Sequence, residues 1–100
     1  MKAGKRYWVY IMTNSSKNVI YIGVTNNLTR RVHEYERGNE NGFSKKYRCY
    51  YLIYFEEFRS INRAIRREKE LKGWRRSKKD ALISSFNPQL NFLNNRIKVS

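Results

Sequence analysis

Two tyrosines stand in short apolar runs, as Trp8-Val9-Tyr10 and Tyr21-Ile22-Gly23, and Arg31 follows at the start of a helical stretch. Two phenols and a guanidinium are a set that metal-assisted phosphodiester chemistry can use. A phenol can take a proton from water, and a guanidinium can meet charge on phosphoryl oxygens. Other chemistries are poorly served. One histidine, His33, and one cysteine, Cys49, cannot build a zinc site of about four ligands from the usual set. A Ser-His-Asp system would need His33 and the lone aspartate, Asp80, which reads as a helix cap. Neither a Walker-A sequence nor Gly-x-Gly-x-x-Gly is present, so nucleoside-triphosphate and dinucleotide sites are not indicated.

The elements that must position these groups can be read from periodicity and turn residues. Residues 7–12 are aromatic and β-branched without a polar break, which predicts a strand buried on both faces. Residues 13–18 are rich in Asn and Ser and read as a turn, and residues 19–24 form a second strand, so an antiparallel hairpin is expected. Gly23 inside that strand marks a place where another group approaches the backbone closely. Thr25, Asn26 or Asn27 caps a helix to about Arg37, ended by Gly38. Its core stripe is Leu28, Val32 and Tyr35, with Arg31 beside the stripe one turn before Tyr35, whereas His33 points to the surface or to phosphate.

Residues 39–48 read as a basic loop containing Lys45 and Lys46, and residues 50–58 as an aromatic-rich third strand. Ser60 starts a long helix to about Lys72, stopped at Gly73. Ser77-Lys78-Lys79-Asp80 resembles a capping box that opens a last helix ending near Phe86. The order β-β-α-β-α-α predicts an α/β fold, a small three-stranded antiparallel sheet flanked by helices. It occupies one domain over residues 6–94, with flexible tails at 1–5 and 95–100.

Charge indicates the partner. Lys and Arg number 22 against 8 acidic residues, a net charge of +14. Such a field attracts polyanions, among which nucleic acid is the commonest for a domain of this size. The densest run, from Arg59 to Lys79, holds ten Lys or Arg against Glu68 and Glu70. Arg66, Arg67, Arg75, Arg76, Lys78 and Lys79, with Lys45 and Lys46, are the candidate contacts to a nucleic-acid backbone. No apolar run approaches the ~20 residues of a membrane span, and a single cysteine fits a reducing cytoplasm.

One carboxylate is out of place. Ile61, Ala64, Ile65 and Leu71 form the apolar stripe of the second long helix, and Glu68 falls within it while Glu70 points away. A core-facing carboxylate must be paired with a cation or bound to a metal. Two readings stand: an ion pair to Arg31 or a neighbouring Arg, or an oxygen ligand for a hard divalent cation. Tyr10 and Tyr21, on neighbouring strands, either pack like the other tyrosines or converge at one sheet face.

Together these residues resemble the GIY-YIG endonuclease superfamily over nearly the whole chain. Trp8-Val9-Tyr10 matches the first signature except that Trp replaces its Gly, and Tyr21-Ile22-Gly23 matches the second in full. The stretch from Gly23 to Tyr35 looks like the family's helix, with its arginine at Arg31 and Tyr35 four residues on, where the family carries His or Tyr. The family's metal-binding Glu aligns with Glu68. Pro88-Gln89-Leu90-Asn91 resembles the ending of the excision-repair nuclease, a DNA repair enzyme, which puts the family's closing Asn at Asn91, with Asn87 the alternative. Residues 57–69 and the following Leu-Lys-Gly-Trp-Arg-Arg resemble the small stand-alone bacterial branch.

The resemblance implies hydrolysis of phosphodiester bonds in DNA, with branched, nicked or single-stranded DNA among the candidate substrates. Tyr10 or Tyr21 takes the proton from water, and its ordinary pKa of ~10 must be lowered, by Arg31 and the metal. Glu68 holds one Mg²⁺ or Mn²⁺, Arg31 stabilises the phosphoryl oxygens, and Tyr35 orients the arginine. A protein partner for targeting is the alternative to activity alone.

Overall fold

The computed structural model describes residues 4–38 and 42–97. The chain runs β1 (Tyr7–Thr13), β2 (Ile20–Thr25), α1 (Leu28–Glu36), α2 (Gly42–Lys46), β3 (Tyr51–Phe58), α3 (Ile61–Lys72), α4 (Arg76–Phe86) and α5 (Asn94–Ile97). The sheet is antiparallel in the order β2-β1-β3, so the aromatic β1 lies in the middle, as its unbroken apolar run requires. Val9 and Ile11 face one way and meet Ile22, Ala64, Leu71 and Ile83 under α3 and α4. Tyr10 and Met12 face the other way and meet Leu28, Val32 and Tyr35 of α1. The sheet therefore has two cores, and α1 and α3 lie on opposite faces of it.

The hairpin is built by Asn14, whose Oδ1 accepts from the backbone N–H groups of Asn18 and Val19 at 3.1 and 3.2 Å. Asn27 caps α1 by accepting from the Arg30 N–H at 3.0 Å, and Gly38 takes a φ of +72° just past its end. Ser60 caps α3 in the same way, with Gly73 at its end.

Several sequence expectations need correction. A short helix, α2, replaces part of the predicted loop at 39–48; residues 39–41 of that loop lie outside the described residues. The capping box at Ser77–Asp80 is not used. Helix α4 begins at Arg76, and Arg75 caps it through backbone alone, its carbonyl accepting from the Lys78 and Lys79 N–H groups. Asp80 instead pairs with Arg76 one turn earlier, at 2.9 Å. Ile61 is 41% exposed, so the buried stripe of α3 is carried by Ala64 and Leu71.

Two features were not visible in the sequence. Strand β3 carries a bulge, since Ile11 pairs with Tyr54 and Met12 with Leu52, leaving Ile53 over. The displaced Ile53 carbonyl accepts from Asn87 Nδ2 at 3.1 Å. Beside it, the outer edge of β3 is covered by the C-terminal segment. The Leu93 N–H donates to the Leu52 carbonyl, and Asn94 Oδ1 accepts from the Leu52 N–H, both at 2.7 Å. Asn94 Nδ2 also donates to Glu36 and to the Tyr50 carbonyl, and Asn94 opens the last short helix, α5, which runs to Ile97.

Candidate functional site

The register of β1 on β2 places Tyr10 opposite Gly23 and Met12 opposite Tyr21. Tyr10 and Tyr21 are thus diagonal neighbours on the α1 face. The placement of Tyr10 needs Gly23, because a Cβ there would lie 3.0 Å from Tyr10 Cε1 and closer still to its Cζ and hydroxyl. The Tyr10 ring lies over the bare backbone of Gly23. From α1, Tyr35 completes the cluster: its hydroxyl is 2.9 Å from that of Tyr10, and its ring centroid is 6.1 Å from that of Tyr21. Tyr10 and Tyr35 are buried, while Tyr21 is half-buried on the edge strand.

Arg31 stands one turn before Tyr35 on α1, where i and i+4 side chains lie side by side. Its guanidinium is 3.1 Å from Glu34 Oε1. Trp8, in place of the family's glycine, is half-buried against the same core as Tyr10. His33 lies on the polar flank of α1, 3.7 Å from Glu36.

Glu68 comes from α3, on the other face of the sheet. Its side chain is 16% exposed, as its place in the apolar stripe requires, and its partner is Lys72, Nζ to Oε2 at 3.2 Å. The expected arginine partner is therefore replaced by a lysine one turn along the same helix, which needs no long-range approach. Lys72 also joins the two faces. Its ammonium lies 6.0 Å from the Tyr21 ring centroid, so it reaches round the open edge of β2 from Glu68 towards the tyrosines. A cleft of about 340 Å³ runs along this edge, lined by Ile20, Tyr21, Ile22, Phe43, Lys72 and Lys79.

The donor set suits a hard cation sharing its coordination with substrate. Among the described residues no group of three or more His, Cys, Asp or Glu gathers. Glu68 thus offers one carboxylate, and Mg²⁺ is commonly held by one or two carboxylates plus water and substrate phosphate.

Other candidates lie elsewhere. Asn87 is buried and structural: besides holding Ile53, it donates to the Asn91 carbonyl at 2.8 Å, and the Asn91 N–H returns a bond to its Oδ1. The Asn91 side chain is exposed, on the loop after α4. Arg67 is held by acidic and aromatic neighbours. Its guanidinium grips Glu56, with Nε to Oε2 and Nη2 to Oε2 both at 3.0 Å, binds Glu70, and lies over Trp74. Glu56 in turn accepts from the Tyr54 hydroxyl. Arg76 is likewise engaged, with Asp80 and with the carbonyls of Lys17 and Asn18. Arg66, Arg75, Lys45, Lys46 and Lys78 are exposed, and Lys79 is half-buried at the cleft. Lys72 and Phe43 line the cleft beside Tyr21 and are not among the residues that the sequence singles out. Lys72 could have been found from its i+4 spacing to Glu68.

Known proteins resemble this chain in sequence and in fold. The GIY-YIG catalytic domain family matches residues 6–80, from the start of β1 into α4. A UPF0213 protein of Natronomonas pharaonis is 31% identical over 78 residues, which is 78% of this chain and 91% of the relative. A UPF0213 protein of Staphylococcus haemolyticus is 33% identical over 78 residues, covering 78% and 94%. The solution NMR structure of a UPF0213 protein from Bacillus halodurans superposes with a TM-score of 0.53 at 26% identity, over 95% of this chain and 97% of that one. With both tyrosine strands, the Arg31 helix and Glu68 inside the matched span, the chain belongs to the GIY-YIG family, a nuclease superfamily, in the branch of small proteins that includes the UPF0213 relatives.

Proposed function

We propose that this protein is a metal-dependent endonuclease that hydrolyses phosphodiester bonds in DNA. The observation that carries this reading is the junction at the open edge of β2, where Lys72 touches Glu68 and lies beside Tyr21 on a cleft. Tyr35 ties that junction to Tyr10 and to the helix bearing Arg31. A bound Mg²⁺ or Mn²⁺ would supply Lewis-acid stabilisation to the phosphoryl and leaving oxygens, held by Glu68.

The remaining roles belong to the chain's own side chains. Tyr21, half-buried on the cleft, is the phenol that water can reach, and as its phenolate it takes the proton of the attacking water. Tyr10, 4% exposed and bonded to Tyr35, positions the cluster. Arg31 meets charge on the phosphoryl oxygens once it exchanges Glu34 for the substrate. The net charge of +14 favours capture of the polyanion. No described helix is long and apolar enough to cross a membrane, and a single cysteine, the free Cys49, fits the proposed action in a reducing cytoplasm.

A second reading has its own observation. Lys72 already neutralises Glu68, and a nucleic-acid-binding module that cleaves only with a targeting partner would be built that way. Cleavage of plasmid and branched DNA with Mg²⁺ or Mn²⁺ separates the two. The nuclease reading expects the parent to cut, and Glu68→Ala and Arg31→Ala to bind without cutting. Cutting untouched by either change would remove the site, and a parent that cuts nothing would leave the binding module.

A further inference from the structure

From Tyr21 at the open edge of β2 an aromatic row continues through Phe43 and Tyr47, two rings to which the proposed chemistry gives no task. Ring centroids of Tyr21 and Phe43 are 5.8 Å apart, and those of Phe43 and Tyr47 are 4.9 Å apart. Phe43 is 46% exposed and Tyr47 41%, among the most exposed large apolar side chains described. The cleft beside them has an apolar floor in Ile20 and Ile22 and two lysines on its rim, Lys72 and Lys79. Lys46 Nζ adds a third ammonium, 5.4 Å from the Tyr47 ring centroid.

Exposed rings rimmed by ammonium groups fit a nucleic-acid strand, whose bases stack on aromatic faces while its phosphates meet lysines. A continuous duplex cannot use them, because its base faces are already stacked on one another.

We propose that Phe43 and Tyr47, continuing the row from Tyr21, form a stacking platform for unpaired bases of a DNA strand whose phosphates are held by Lys72 and Lys79. The protein thereby selects single-stranded or frayed DNA over continuous duplex. The row begins at Tyr21, so a strand lying on it enters the candidate reaction centre. The proposal rests on the nucleic-acid reading given above, but not on cleavage.

Its test is binding without divalent metal, so that hydrolysis plays no part. Fluorescence anisotropy with a short oligothymidylate and with a duplex of equal length, at one salt concentration, compares the parent with Phe43→Ala and Phe43→Trp. The parent is expected to prefer the single strand by about tenfold or more, the scale of base–aromatic stacking. Phe43→Ala should lose about that factor on the single strand, change little on the duplex, and abolish quenching of a 2-aminopurine base in the strand. Phe43→Trp should retain both properties, which excludes misfolding as the cause.

Equal losses on single strand and duplex, no loss on either, or a parent that prefers duplex would each overturn the platform. Much tighter binding of oligouridylate than of oligothymidylate would overturn the assignment to DNA. Because no arm measures cutting, an inactive parent can still support the platform, and an active one can still refute it.

Discussion

At the scale of single residues, the site depends on an absent side chain and a shared ammonium. Gly23 leaves the space that the Tyr10 ring occupies, so Gly23→Ala must push that ring away from Tyr35 or bend β2. Overpacking of this kind costs about 1–3 kcal/mol. The expected outcome is a lower urea midpoint with an unchanged slope; an unmoved midpoint would mean that the ring yields freely. Lys72 poses a different question, because its ammonium and a divalent cation compete for one carboxylate. An ion pair with a half-exposed lysine contributes only about 0.5–1 kcal/mol. Lys72→Met should therefore tighten Mn²⁺ binding to the free protein by about twofold to fivefold, read by water-proton relaxation, and Glu68→Gln should weaken it. If neither substitution changed Mn²⁺ binding, Glu68 would not be the ligand.

At the scale of elements, the sequence makes legible what local pattern decides. The β1–β2 hairpin, the Asn27 cap, the Ser60 cap and the inward turn of Glu68 all follow from residue type and spacing over a few positions. Gly23, too, reads as a point of close approach from its place inside a strand, although its neighbour does not. Pairings made across the chain are not legible. The Ile53 bulge and the Asn94 clasp depend on what tertiary packing brings near, whereas the Glu68–Lys72 pair, at i and i+4 on one helix, lay within reach of local spacing. Helix α2, five residues with Phe43 its single large apolar side chain, has too few positions to show a period.

The clasp between β3 and α3 gives these elements a pH dependence. Burial first, and then the Glu56 carboxylate, raises the Tyr54 phenol above its ordinary value. The folded protein therefore holds this proton where the unfolded chain loses it. The stability so contributed is complete below about pH 10 and is lost as pH rises further. Unfolding midpoints measured from pH 8 upward should fall past about pH 10 in the parent and fall less steeply in Tyr54→Phe. An identical decline in both would place the effect elsewhere.

At the scale of the whole molecule, the +14 charge divides into cations that hold the fold and cations that face solvent. Arg67, chelated by Glu56 and Glu70 with its side chain 24% exposed, belongs to the first class. Arg66, Arg75 and Lys78 are exposed, and Lys79 with Lys72 faces the cleft. The two classes should separate in a salt titration of DNA binding. Changing Arg75, Lys78 and Lys79 together to Gln is expected to weaken binding across sequences while leaving the fold intact. The dependence of log K on log salt should flatten by roughly 0.7–0.9 for each phosphate that is no longer neutralised. Arg67→Gln should do the reverse, leaving Glu56 half-buried without its partner at a cost of about 2 kcal/mol in stability while the salt slope stays near that of the parent. An unchanged slope in the triple variant would move the polyanion path off α4, away from the Tyr21 cleft that Lys79 lines, and would separate the charge of this protein from its candidate chemistry.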